Sequence, residues 1–159
     1  MDLTHVDAGG AARMVDVSDK EPTARVAVAT GTVRTTAEVV QLLRRDGLPK
    51  GDALATARIA GIMGAKRTPD LVPLCHPIAL SGVTVELETR DSEVAIRATV
   101  RTTDRTGVEM EALTAVAVAG LTLHDMIKAV DPAAVLDAVR VERKDGGKTG
   151  SWVRPEDRS

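Results

Sequence analysis

Residues 73–77, with the sequence PLCHP, place the one cysteine of the chain beside one of its three histidines. A thiol next to an imidazole could supply metal ligands, a nucleophile with its base, or a ligand-binding surface. A structural zinc site takes four ligands, and one cysteine with scattered histidines argues against such a site. Adjacent side chains of an extended segment point to opposite sides, which argues against a Cys75–His76 nucleophile pair. We therefore interpret PLCHP as a proline-stiffened segment in which Cys75 is buried and His76 faces a pocket.

A second group of reactive side chains lies at the two ends of a long apolar run. Residues 112–123 carry no charge, whereas Glu109 and Glu111 precede them and Asp125 and Lys128 follow. Asp125 and Lys128 are spaced i,i+3, so they converge if the segment is helical. A surface ion pair would give the same pattern. A helix that is apolar all round must be covered on more than one side, either by a partner chain or by its own loops, and the pattern alone favours neither.

Basic residues outside these segments favour a small anionic ligand. Lys50 precedes the start of a predicted helix, where free backbone N–H groups attract anions. Arg143, Lys144 and Lys148 surround the glycines of RKDGGKTG. The segment is not a P-loop, because Glu142 stands where that motif needs glycine and no helix follows.

Composition excludes several classes of function. The 159 residues suit one domain, and only 1% of them are aromatic, so platforms for stacking nucleic-acid bases are lacking. A net charge of −2 gives no field that would attract nucleic acid or an anionic membrane. One cysteine cannot form an intramolecular disulfide, the N-terminus does not resemble a signal peptide, and the uncharged run is too short to span a bilayer. We expect a cytoplasmic protein that binds neither nucleic acid nor membrane.

The elements that must position these residues follow from periodicity and capping signals. We predict a strand at 24–33, a helix at 36–45 capped by Thr35 and Glu38 and stopped by Gly47, and a helix from Asp52 to just before Pro69. Small residues of this second helix form one stripe that permits close packing: Ala53, Ala57, Gly61 and Gly64.

The second half of the chain predicts a hairpin, a long helix and terminal strands. Strands at 82–89 and 93–102 form the hairpin, the long helix ends at Asp131 and Pro132, a short helix covers 132–139, and two short strands flank the glycine-rich loop. This order predicts a single α+β domain over residues 1–159, a ferredoxin-like split βαβ fold with an antiparallel sheet and helices on one face. Residues 1–20 are expected to be a flexible arm.

Two long segments resemble a known family. KGDALATARIAGIMGAKRTPDLVPLCHPIALS and TGVEMEALTAVAVAGLTLHDMIKAVD are similar to the cyclic pyranopterin monophosphate synthases, the molybdenum cofactor biosynthesis protein C (MoaC) family, and LTHVDAGGAARMVDVSDK and GGKTG fit as well. The resemblance implies a lyase that converts 3′,8-cyclo-7,8-dihydroguanosine triphosphate into cyclic pyranopterin monophosphate and diphosphate. It implies a ferredoxin-like fold, no metal or other cofactor, and a homohexamer built from dimers.

The resemblance also implies the residues of the site. The catalytic pair falls on Asp125 and Lys128. Substrate contacts fall on Leu74, Cys75, His76, Met110 and Glu111, and basic contacts to the triphosphate on Arg25, Lys50, Lys148 and Lys144.

Helix geometry sets a condition on this site. Asp125 follows Glu111 by fourteen residues, which is about 21 Å along an ideal helix. One small nucleotide cannot readily touch both carboxylates of a single chain, so we expect a site composed from two chains. A non-catalytic nucleotide-binding protein of the same fold, or a structural oligomer, remains the alternative.

Overall fold

The computed structural model describes residues 3–48, 51–148 and 150–156. Within them the chain forms five strands and four helices: β1 (Thr23–Arg34), α1 (Ala37–Arg44), α2 (Ala53–Lys66), α3 (Thr68–Leu71), β2 (Leu80–Thr89), β3 (Glu93–Asp104), α4 (Glu109–Ile127), β4 (Val135–Asp145) and β5 (Trp152–Val153). The strands make one antiparallel sheet in the order β2-β3-β1-β4-β5. The first four strands have the order of a split βαβ unit, so the predicted ferredoxin-like α+β fold is confirmed.

The core lies between one face of this sheet and the helices. Alternate residues of β1 are buried and pair in register with alternate buried residues of β3: Ala27 with Val100, Ala29 with Ala98, and Val33 with Val94. Since side chains alternate between the two faces of a strand, this register places one apolar face under α4 and α2.

Helices α2 and α4 pack through small residues. A Cβ at Gly61 would lie 2.9 Å from the carbonyl oxygen of Ala115, and one at Gly64 would lie 2.9 Å from side-chain carbons of Val118. Glycine therefore lets the two helix backbones approach each other, as the small-residue stripe predicted.

Helix α4 is covered from two sides within the chain, by the sheet and by α2. Its third side keeps large apolar side chains at the surface, with Met110 40% and Leu121 64% exposed. By length and mean hydropathy (1.3) α4 could cross a membrane, but half of that window is buried inside the protein, as in the core helix of a soluble domain. Cover for the third side by a partner chain stays a prediction.

The predicted short helix at 132–139 is wrong, because β4 begins at Val135. Val135 and Leu136 pair with Arg34 and Val33 of β1. A register shift follows, and Ala138 adopts a positive φ of 53°. The irregular backbone hides the alternation that would mark a strand, and pairing with β1 overrides the helical preference of the local sequence.

The helix cap predicted at Thr35 lies one residue later. The hydroxyl of Thr36 accepts a hydrogen bond from the backbone N–H of Val39, whereas the hydroxyl of Thr35 donates to Asp131 at 2.7 Å. The backbone N–H of Gly47 donates to the carbonyl of Leu42 after the helix ends, as its predicted stop role requires.

Candidate functional site

PLCHP and the start of α4 line an open cavity of about 350 Å³. Its lining combines the predicted segment with the loop before α4 and the N-terminal arm: His5, Val72, Leu74, Cys75, His76, Thr106, Gly107, Glu109 and Met110. Four residues expected to contact substrate, Leu74, Cys75, His76 and Met110, are thus brought together across about thirty-five residues of sequence. We call this space the PLCHP cavity.

Cys75 is partly buried, not fully buried as expected, and it connects the cavity wall to a buried carboxyl. Its thiol donates to Oε1 of Glu111 at 3.4 Å, with the carbonyl of His76 a weaker acceptor at 3.9 Å. Burial, followed by the nearby Glu111, raises the pKa of Cys75 to about 12. The thiol is therefore protonated at neutral pH, and a nucleophilic role for Cys75 is unfavourable.

Glu111 is 1% exposed and does not line the PLCHP cavity. Burial raises the pKa of its carboxyl, partly offset by the hydrogen bond from Cys75. Its Oε2 is buried without a hydrogen-bond partner among the described residues.

His76 faces the N-terminal arm. Its Nε2 is hydrogen-bonded to the carbonyl oxygen of Val15, and the arm also carries His5 into the cavity lining. Further along, Nε of Arg105 donates to the carbonyl of Lys20 at 2.9 Å. Residues 3–20 form an isolated bridge between Val6 and Ala12 but no helix, and the flexibility expected of this arm stays a prediction.

A second cavity, of about 620 Å³, carries basic residues. It is lined by Asp19, Lys20, Glu21, Thr23, Arg25, Gly147 and Lys148. Of the predicted phosphate contacts, Arg25 and Lys148 therefore line the same cavity, whereas Lys50 lies outside the described residues. We call this space the basic cavity.

Glycine shapes the wall of the basic cavity. Gly147 has a φ of +77°, and a Cβ there would overlap the guanidinium of Arg25. That guanidinium also donates to the carbonyl of Asp104 at 3.2 Å. The GGKTG loop thus positions Arg25, which sequence spacing alone did not indicate.

Lys144 does not line the PLCHP cavity but forms an ion pair with a residue that does. Its Nζ lies 3.3 Å from Oε1 of Glu109, a residue that lines that cavity. Glu109, His5 and Lys20 were not among the predicted site residues. For Glu109 the sequence did offer a signal, since it precedes the predicted contacts Met110 and Glu111.

Asp125 and Lys128 lie at the far end of α4. Nζ of Lys128 is 2.8 Å from Oδ1 of Asp125, and both side chains are about half exposed (55% and 52%). The pair forms as the spacing predicted. A single chain does not bring it to the PLCHP cavity, because most of the length of α4 separates them.

Among the residues that the structure describes, no three His, Cys, Asp or Glu side chains are grouped so that they could hold a metal ion. What the cavities offer instead is two imidazoles, apolar surface and separated cations, beside the carboxylates of Asp19, Glu21 and Glu109. The imidazoles and cations suit a small organic anion.

Comparison with known proteins gives a consistent result. The model of the MoaC family matches residues 14–147. The cyclic pyranopterin monophosphate synthase of Streptomyces coelicolor is 68% identical over 152 residues, covering 96% of this chain and 89% of the relative. The enzyme of that name from Nocardioides sp. is 66% identical over 156 residues, covering 96% of each chain. Cyclic pyranopterin monophosphate synthase 2 of Mycobacterium tuberculosis is 62% identical over 153 residues, covering 96% and 92%. The match to the family model and these identities over nearly the whole chain establish that the protein belongs to the MoaC family.

Proposed function

We propose that this protein is a lyase of molybdenum cofactor biosynthesis that converts 3′,8-cyclo-7,8-dihydroguanosine triphosphate into cyclic pyranopterin monophosphate and diphosphate. The relatives that share 62–68% of its residues carry the name of that synthase. The observation that carries the proposal is the meeting of Leu74, Cys75, His76 and Met110 around one cavity. We expect the protein to act in the cytoplasm on this small-molecule substrate, without metal, cofactor, nucleic acid or membrane.

The substrate spans both cavities in this proposal. The PLCHP cavity receives the guanine-derived part, and the cations of the basic cavity, Arg25 and Lys148, bind the triphosphate together with Lys50. Lys144, whose Nζ lies 3.3 Å from Oε1 of Glu109, contributes further positive charge in this proposal. Fixed cations stabilise the charge that develops on the leaving diphosphate.

Asp125 and Lys128 supply acid/base chemistry. The 2.8 Å contact with Asp125 orients the ammonium of Lys128, and a lysine held in this way can exchange a proton with the opening and reclosing ring. In the last step a substrate hydroxyl oxygen bonds to the innermost phosphorus. The bond from that phosphorus to diphosphate breaks, and the hydroxyl proton passes to a base.

Two chains form each site in this proposal. The Asp125–Lys128 pair and Glu111 lie about 21 Å apart along α4. The exposed Leu121 next to the pair supports a contact between copies, because a large apolar side chain there gains from burial. We propose that dimers, assembled as a homohexamer, bring the pair of one copy to the PLCHP cavity of another.

Activity and its loss test the reaction. The purified protein is incubated with the cyclised nucleotide while diphosphate release and the fluorescent oxidised pterin are followed. We expect turnover that is lost in Asp125→Asn and Lys128→Ala while the oligomer persists. A folded, oligomeric wild type without turnover would refute the enzyme, and turnover that survives both substitutions would refute the catalytic pair.

Mixing two inactive variants tests the composite site. Asp125→Asn and His76→Ala subunits, dissociated and reassembled together, should recover activity because some sites then carry both intact halves. Each variant reassembled with itself is the control. No recovery in mixed oligomers would show that each site lies within one chain.

A further inference from the structure

The corner between β3 and α4 contributes to both cavities. Thr106 and Gly107 line the PLCHP cavity. The two residues before them hold a cation of the basic cavity, because the carbonyls of Asp104 and Arg105 accept from the guanidinium of Arg25 at 3.2 and 3.4 Å. One short corner thus serves the two spaces that the proposed function assigns to the two ends of one substrate.

The side chain of Arg105 lines neither cavity but holds the N-terminal arm. Its Nε donates to the carbonyl of Lys20 at 2.9 Å. The backbone N–H of Lys20 donates to the carbonyl of Val17 at 3.0 Å, so the arm turns at this point. Earlier in the arm, the carbonyl of Val15 is hydrogen-bonded to Nε2 of His76. The arm is therefore fixed at two points, one beside each cavity.

Lys20 decides the sign of the charge in the basic cavity. Among the described residues, the lining of this cavity carries three cations, Lys20, Arg25 and Lys148, and two carboxylates, Asp19 and Glu21. Without Lys20 the charges would balance, and a cavity needs an excess of positive charge to attract a polyanion such as a triphosphate. Because Lys20 is exposed and lies outside any helix or strand, its ammonium stays at the cavity only where its backbone is held.

We infer that Arg105 is a positioning residue that holds the N-terminal arm at the basic cavity, so that Lys20 joins Arg25 and Lys148 in binding the triphosphate. The inference rests on the proposed function, which supplies the triphosphate. Arg105 acts through its hydrogen bond to the carbonyl of Lys20. The same corner holds Arg25 through two carbonyls, so one loop fixes the position of both cations.

Two variants of Arg105 separate the hydrogen bond from the charge. Arg105→Gln keeps an N–H donor at the same side-chain position as Nε without the charge, and Arg105→Leu removes both. Lys20→Met removes the cation itself. Arg97→Leu is the matched control, because Arg97 is an exposed arginine of β3 that pairs in the sheet with Thr30 and Glu86, away from the arm. Thermal unfolding and size-exclusion chromatography verify that each variant is folded and assembled.

Kinetics on the cyclised nucleotide give the first readout. We expect Lys20→Met to raise KM by about tenfold, and Arg105→Leu by about threefold to tenfold, the lower part of the range for one hydrogen bond because the contact is exposed. The change in kcat should be smaller, since binding is what the arm supports. Arg105→Gln should recover most of the loss, and Arg97→Leu should match the wild type.

A double variant tests whether Arg105 acts through Lys20. In the Lys20→Met background, Arg105→Leu should add little, because both changes remove the same cation from the cavity. Effects of the two substitutions that add in full would overturn the inference. So would an Arg105→Gln variant as impaired as Arg105→Leu, since the charge of Arg105 would then matter and its hydrogen bond would not.

Binding of inorganic tripolyphosphate gives a second readout that needs no turnover. Isothermal titration calorimetry measures its Kd at about 0.15 M salt, where distant exposed charges are screened. We expect weaker binding in Lys20→Met and Arg105→Leu than in the wild type and Arg105→Gln. Equal binding in all four proteins, or none in the wild type, would refute the role of the arm even in an active enzyme. The expected order of affinities in a protein without turnover would instead refute the proposed function and leave the role of Arg105 standing.

Discussion

Alkylation of Cys75 tests whether the PLCHP cysteine is a partly buried hydrogen-bond donor or a nucleophile. Burial and the adjacent Glu111 raise the pKa of its thiol from 9.0 to about 12. Only the thiolate reacts with iodoacetamide, so the reaction rate reports this pKa. The chain has no other cysteine, and each alkylation is therefore an event at Cys75.

The expected rate follows from the thiolate population. At pH 8 a thiol of pKa about 12 is ionised about a thousandfold less than one of pKa 9.0. The more basic thiolate is intrinsically more nucleophilic, and this raises its reaction rate by about twentyfold. The net expectation is a rate roughly 50-fold below that of an ordinary thiol, before any steric shielding is counted.

Intact-mass spectrometry measures this rate against pH. Between pH 7 and 10 we expect the rate for Cys75 to keep rising by about tenfold per pH unit, because the thiol stays far below half ionisation. The same protein unfolded in guanidinium chloride serves as control, and its rate should level off near pH 9. Glu111→Gln should react faster than the wild type, since the charge of a nearby carboxylate is removed while an acceptor oxygen stays, but more slowly than the unfolded chain because burial remains.

A rate at pH 8 that equals or exceeds that of the unfolded chain would refute this reasoning. So would a plateau below pH 9 in the folded protein. Either result would show that the pKa of Cys75 is not raised, and a plateau below pH 9 would make Cys75 a candidate nucleophile.

Three further predictions concern stability and the phosphate site. Leu123→Ala, at a fully buried position of α4, should lower the free energy of unfolding by about 3 kcal/mol in chemical denaturation, because a cavity remains. Gly147→Ala should raise KM for the cyclised nucleotide more than Gly150→Ala does, because both have positive φ but only a Cβ at Gly147 would overlap Arg25; equal effects would contradict a role in positioning that guanidinium. The stability of Glu111→Gln should rise relative to that of the wild type as the pH rises from 4 to 7. Because the pKa of Glu111 is raised in the folded state above its ordinary value of 4.5, the folded state holds the proton more tightly than the unfolded state does. Ionisation of Glu111 therefore destabilises the wild type, and the variant has no carboxyl to ionise. Denaturant unfolding at several pH values measures the difference, and a constant difference would indicate no raised pKa.

Local patterns in the sequence were sufficient for most of the fold. Alternating apolar residues predicted β1, β2 and β3, and the stripe with Gly61 and Gly64 predicted the close packing of α2 on another element. These predictions succeeded because the alternation of side chains along a strand, and the small residues on one face of a helix, are set by residues close together in sequence. The start of β4 was predicted wrongly as a helix. It forms a strand because it pairs with β1, about a hundred positions away, and local patterns do not show such pairing.

The site divides in the same way. Residue types and the family resemblance were enough to predict which residues could form the site: PLCHP, the start of α4, the Asp125–Lys128 pair and the basic residues. Only the structure showed that Cys75 lies between the cavity and the carboxyl of Glu111, that Gly147 packs against Arg25, and that His5 lines the cavity. Each of these contacts joins segments distant in sequence, so its geometry depends on how the sheet and α4 pack. The sequence by itself determined which chemical groups are present; the tertiary structure decided which of them touch, because contact and burial, and hence pKa, are properties of the packed chain.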